Sequence, residues 1–277
     1  MRDTTWPGRA VIPVRQADRG RDGAVSTLGV ARWLEDARLR LRMRRFEAHA
    51  RSSGMQPFRI LLVGQQVERL SPHSRAGDNV EVVSGVSRIG RSSFTYLHEA
   101  REPGQVVGKG QATIVLGTSS GPMVLPDRLI DDLQDLAIPG GEGGSGRASD
   151  AQRHRDHYPW WTTVRTRVAD LDSNRHVNFQ VLLTWYEEAV AGVVWAAGGA
   201  QGSTPSPELS TRRLGIEYAG EVTFPGDYQI GVRVSAVLDD AIQYELAIFG
   251  DDRCLGTAQA QTPRGSLNPA ALPGIDV

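Results

Sequence analysis

A chain of 277 residues, 40% hydrophobic and 23% charged, has the composition of a globular protein with one large domain or two ordinary ones. A formal net charge of -1 argues against bulk nucleic-acid binding, which needs a strongly basic domain. The single cysteine, Cys254, excludes an intramolecular disulfide, and without an apolar N-terminal segment or an apolar run of about 18 residues the chain is expected to be cytoplasmic, with no secretory signal or membrane span.

Residues 8–15 read as a short strand. A turn then leads to one long helix over 28–52, with Val30, Trp33, Leu34, Ala37 and Leu41 on one face. The period then changes to two, and strands are expected over 79–87, 93–101 and 105–116, with Pro103-Gly104 as a turn. Residues 139–150, P-G-G-E-G-G-S-G-R-A-S-D, are too rich in Gly and Ser to pack a core and read as a flexible linker. The polar stretch to His157 continues it, with His154 and His157 solvated.

The same order then repeats. A strand is expected over 160–168 and a helix over 179–197, whose nearly continuous apolar positions predict burial all round. Strands follow over 228–238, 242–249 and 254–261, the last holding Cys254 as a buried core residue. The repeat is visible in the residues themselves. Arg15, Asp18, Val25, Trp33, Glu35 and Ala37 recur 152 positions later as Arg167, Asp170, Val177, Trp185, Glu187 and Ala189. Domains are therefore expected at 1–136 and 158–277, with 137–157 as linker. The fold class is α+β, each half a curved antiparallel sheet wrapped around one long helix.

Between the second short strand and its helix lies Asp170-Leu171-Asp172-Ser173-Asn174-Arg175-His176-Val177-Asn178. It gathers carboxylates, carboxamides and an imidazole where a buried helix begins. Backbone N–H groups at a helix start can polarise a carbonyl, and a nearby carboxylate can attack it or activate a water. The residues alone leave three readings open: a capping turn, a catalytic site, or a cation site whose spacing fits no strong metal motif. On the first helix Arg38, Arg42 and Arg45 fall at i, i+4 and i+7. They form either a solvated face or a docking patch for an acidic carrier protein or a CoA phosphate.

The segment resembles the D-L-D-x-N-x-H-V-N of the acyl-ACP thioesterases of plants and bacteria, matching at Asp170, Leu171, Asp172, Asn174, His176, Val177 and Asn178. Residues 216–222, I-E-Y-A-G-E-V, are similar to that family's L-E-Y-x-x-E-C, and the first half resembles its N-terminal repeat more weakly. The resemblance implies a tandem (double) hotdog fold and hydrolysis of fatty acyl-ACP, or of acyl-CoA, to a free fatty acid in lipid metabolism. It implies Asp172 as the catalytic carboxylate and Asn174 as an orienting carboxamide. His176 is the site histidine, and Glu221 a second carboxylate that activates water. Asn178 is implied in substrate or carrier binding, and no metal or other cofactor is implied. Val222 stands where the family often carries Cys, which favours a carboxylate over a cysteine mechanism, and Phe179 replaces a second Asn. The first repeat has Gly20, Asp22, Ala24 and Ser26 at the matching positions, so one site per chain is expected, with the first repeat shaping the acyl pocket. The alternatives are an acyl-CoA thioesterase of the 4-hydroxybenzoyl-CoA type and a non-catalytic acyl-thioester-binding protein. A monomer and a homodimer both fit.

Overall fold

The computed structural model describes residues 6–52, 59–71, 75–118, 121–139, 148–173, 175–198 and 207–274, the side chains of 42–52, 59 and 207 excepted. The chain divides into two compact units, Met1–Asp18 with Gly29–Ser145 and Arg19–Leu28 with Gly146–Val277.

The first unit runs β1 (Gly8–Pro13), α1 (Thr27–Ser52), β2 (Arg59–Arg69), β3 (Asn79–Ile89), β4 (Ser93–Glu102), β5 (Gln105–Thr118), a two-residue β6 (Gly121–Pro122) and α2 (Asp127–Gln134). Its strands pair antiparallel in the order β1-β3-β4-β5-β2. In β4 the residues Phe94, Tyr96, His98 and Ala100 alternate inward, as a sheet covered on one face requires. Helix α1 lies close against β5. A Cβ on Gly108 would come within 2.5 Å of Val30, and one on Gly110 within 2.6 Å of Leu34. Glycine at these two strand positions lets the helix backbone approach. Strand β2 and helix α2 carry no clear signal in the sequence. Eight residues are too few for a helical period to declare itself, yet Leu129 and Leu133 of α2 pack with Phe94, Tyr96, Ile114 and Leu116 in one core.

The second unit runs β7 (Trp160–Arg165), α3 (Phe179–Ala196), β8 (Arg213–Tyr218), β9 (Asp227–Val237), β10 (Ala241–Gly250) and β11 (Arg253–Pro263). Its strand order, β7-β9-β10-β11-β8, repeats that of the first unit element for element. Helix α3 is buried along most of its length, as its composition predicts, and Gly192 leaves room for the Trp160 ring against it. Among the described residues no helix is long and apolar enough to cross a membrane.

The expected linker, 137–157, needs correction at both ends: Ala137 bridges Val86 of β3, and Ile138 is buried with its N–H donating to Val86 O at 2.9 Å. Residues 140–147 lie outside the described residues, but 148–157 are ordered into two 3-10 turns, Ala151–Arg153 and Arg155–His157. Gln152 is buried, Tyr158 Oη donates to its carbonyl at 2.6 Å, and His157 Nε2 meets Glu245 Oε2 at 2.6 Å. His157 is therefore a partnered residue packed on β10, and only His154 is largely exposed, as expected of both. The Tyr158 ring fits because Gly231 has no side chain; a Cβ there would lie 2.6 Å away. Cys254 sits half-buried beside Tyr158, Trp161 and Phe249.

Candidate active site

The site begins where β7 ends. Residues 165–170 turn through a 3-10 helix, Val168–Asp170, fixed by Asp170. Its carboxylate is buried, accepts the Arg167 backbone N–H at 2.8 Å, and pairs with the Arg167 guanidinium at 2.9 Å. Burial of a carboxylate requires that pairing. Asp170 is thus spent on folding the turn, and its carbonyl also accepts from the N–H of Asn178 at 2.8 Å.

A tight loop follows. Leu171 and Val177 bridge antiparallel, the Asp172 N–H donates to His176 O at 2.9 Å, and the Arg175 N–H donates to Asp172 O at 3.0 Å. Asp172 Oδ1 accepts the His176 N–H at 3.3 Å, so one carboxylate oxygen steadies the residue that carries the imidazole. Arg175 is left-handed, with φ 65°. The loop is tied to the segment after β8: Val177 N–H donates to Val222 O at 2.9 Å, and His176 bridges Thr223. That segment is held in turn by Leu255 O, which accepts from both Ala219 and Gly220. These ties bring together two groups 45 positions apart in the sequence. His176 Nε2 lies 3.1 Å from Glu221 Oε2, with the two side chains 33% and 55% exposed. An imidazole and a carboxylate at this distance, half open to solvent, can hold and deprotonate a water. Val222 is buried and apolar, and Cys254, whose thiol burial pushes up, donates to Gly256 O; neither is placed as a nucleophile.

The other expected site residues divide. Asn174 lies outside the described residues. Asn178, expected to touch substrate or carrier, caps α3: its Oδ1 accepts the Gln180 N–H at 2.8 Å. The cap takes one of the helix N–H groups that could otherwise face a carbonyl oxygen. Arg38, expected on a basic stripe, is 4% exposed and acts on His98 electrostatically, so it cannot dock a partner. The side chains of Arg42 and Arg45 lie outside the described residues. Among the described residues no three His, Cys, Asp or Glu side chains converge as metal ligands would.

The first repeat builds the same loop without the Asp172 and His176 side chains. Asp18 accepts the Arg15 N–H at 2.8 Å, as Asp170 does for Arg167. Arg19 bridges Val25, and Gly20 N–H donates to Ala24 O at 2.7 Å, as Leu171 bridges Val177 and Asp172 donates to His176. Gly23 takes the left-handed position, φ 74°, that Arg175 takes in the second loop. Gly20 and Ala24 stand where Asp172 and His176 stand. Arg175 stands out only through its backbone; its one signal in the sequence is that the repeat places Gly23 at the matching position.

No family model and no curated protein matches the chain. Three solved structures share its fold over nearly the full length. One is a Lactobacillus plantarum protein assigned as an oleoyl thioesterase, with 12% identity, a TM-score of 0.71, and 95% of this chain and 97% of that one covered. The second is the 12:0-ACP thioesterase of Umbellularia californica, with 17% identity, a TM-score of 0.67, and 92% and 93% covered. The third is an acyl-ACP thioesterase of Bacteroides thetaiotaomicron, with 13% identity, a TM-score of 0.64, and 92% and 97% covered.

Proposed function

We propose that this chain is a double-hotdog thiolester hydrolase that releases a free fatty acid from acyl-ACP, with acyl-CoA as the second candidate substrate. The observation that carries the reading is the His176–Glu221 pair, 3.1 Å apart beside the start of α3, in the one repeat that also has Asp172. The likeness in fold to three thioesterases along nearly whole chains supports it.

The chemistry needs no redox step. His176 Nε2–H donates to one oxygen of Glu221 and orients the carboxylate; the other oxygen takes a proton from water. The new hydroxide oxygen bonds to the thioester carbonyl carbon, the tetrahedral intermediate collapses, and the C–S bond breaks. The proton passes from Glu221 to the departing thiolate, so acid and thiol leave with all atoms accounted for. Asp172 holds the His176 backbone and supplies a second carboxylate at the carbonyl, and Asn174 is assigned to hydrogen-bond the reacting groups. The positive end of α3 favours the oxyanion.

Asp172→Asn should lower kcat about 100-fold or more, the range of a lost general base or positioning carboxylate, with far-UV circular dichroism unchanged. Full activity in a folded variant would remove Asp172 from the mechanism. Mass analysis of the product separates hydrolysis, which gives free acid, from hydration of an enoyl thioester.

A further inference from the structure

We propose that Arg175 is a docking residue for an acidic acyl carrier protein, an inference that rests on the thioesterase reading and deepens it. Three described residues other than glycine have positive φ: Arg175, Asp251 and Asp252. The two aspartates form the turn between β10 and β11, where a short polar side chain tolerates that backbone. Arg175 has no such excuse. The equivalent loop of the first repeat uses Gly23 with nearly the same φ, so glycine satisfies this backbone and arginine burdens it. A strained residue retained beside an active site points to what its side chain does.

Its surroundings say what that is. Arg175 is exposed, adjoins His176 in the chain, and has no carboxylate partner among the described residues. The ties between residues 165–178 and 222–228 put further exposed groups around the same loop. Arg167 is 72% exposed at its side chain while its partner Asp170 is 3% exposed, so the cation faces solvent and the anion does not. Val168 is 69% and Phe224 42% exposed, large apolar side chains with no cover. Arg165 contributes less, because Asp227 beside it is itself exposed. Apart from Asp227, the anions on this face are Glu221 and Asp172, which belong to the site. Two outward guanidinium groups flanked by two apolar side chains complement a protein surface of carboxylates around apolar residues, and not a small apolar ligand.

The test compares the wild-type chain with Arg175→Gly and Arg175→Glu, using Arg128→Ala, on the exposed side of α2, as control. Titration with holo-acyl carrier protein should show binding about tenfold weaker in Arg175→Gly and weaker still in Arg175→Glu, with a flatter salt dependence. The kcat/KM for acyl-ACP relative to an acyl-pantetheine thioester of the same chain should fall by the same factor, through KM. Arg175→Gly should melt at or above the wild-type temperature, which a merely structural arginine would not allow. Unchanged carrier binding in both variants overturns the proposal. So does an equal rise in KM for acyl-CoA, which would make Arg175 a phosphate reader. Carrier binding that weakens as expected in a chain that hydrolyses no thioester would leave the docking role standing and remove the thioesterase reading.

Discussion

A neutral imidazole is walled into the first unit. His98 on β4 is fully buried, its Nδ1 shares a hydrogen with Ser84 Oγ at 2.7 Å, and its Nε2 has no partner among the described residues. Burial, and then the charge of Arg38, pull its pKa down from 6.5 to about 3. The sign follows. The unfolded chain takes up a proton on this histidine below its ordinary pKa and the folded chain does not, so stability is lost as pH falls from 6.5 toward 3. Between pH 6.5 and pH 5 the loss from this one group should be about 2 kcal/mol. Urea unfolding across that range should show the slope, and His98→Gln should flatten it. A histidine variant with the same slope as wild type would mean that other groups set the acid sensitivity.

At the scale of the element, the proposed function gives the start of α3 different residues for folding and for chemistry. Asp170 and Asn178 hold the turn and cap the helix, and Asp172, His176 and Glu221 form the open pair and its support. Asn178→Ala should remove the cap bond to Gln180 and cost about 1 kcal/mol of stability. Thermal or urea unfolding checks the loss, and kcat for the thioester should fall far less than in Asp172→Asn. A collapse of kcat with stability intact would restore Asn178 to the substrate.

Over the whole molecule, the repeat was legible because sequence and backbone share one offset. Arg15 and Asp18 recur as Arg167 and Asp170, and the hydrogen bond between them recurs at the same 2.8 Å. Both long helices and eight strands were readable from period and turn residues. Strands β2 and β8 were not: in β2 the run Gly64-Gln65-Gln66 interrupts the apolar alternation, and β8 is only six residues long. Helix α2 was too short, and the strap at 148–157 was hidden by its polar composition, since buried hydrogen bonds such as Tyr158 to Gln152 leave no periodic signature. At the site, the polar set was visible in sequence, but its division of labour was not. The capping of Asn178, the burial of Arg38 and the strain at Arg175 depend on backbone geometry that residue types do not reveal.

The central claim is that Glu221, oriented by His176, activates the water that cleaves an acyl thioester. It is tested most directly by single-turnover hydrolysis of acyl-ACP in H2 18O, followed by mass analysis of the released acid for wild type and Glu221→Gln. The account predicts one 18O in the free acid from wild type, and a rate reduced about 100-fold or more in a folded Glu221→Gln. Equal rates in the two proteins would contradict it.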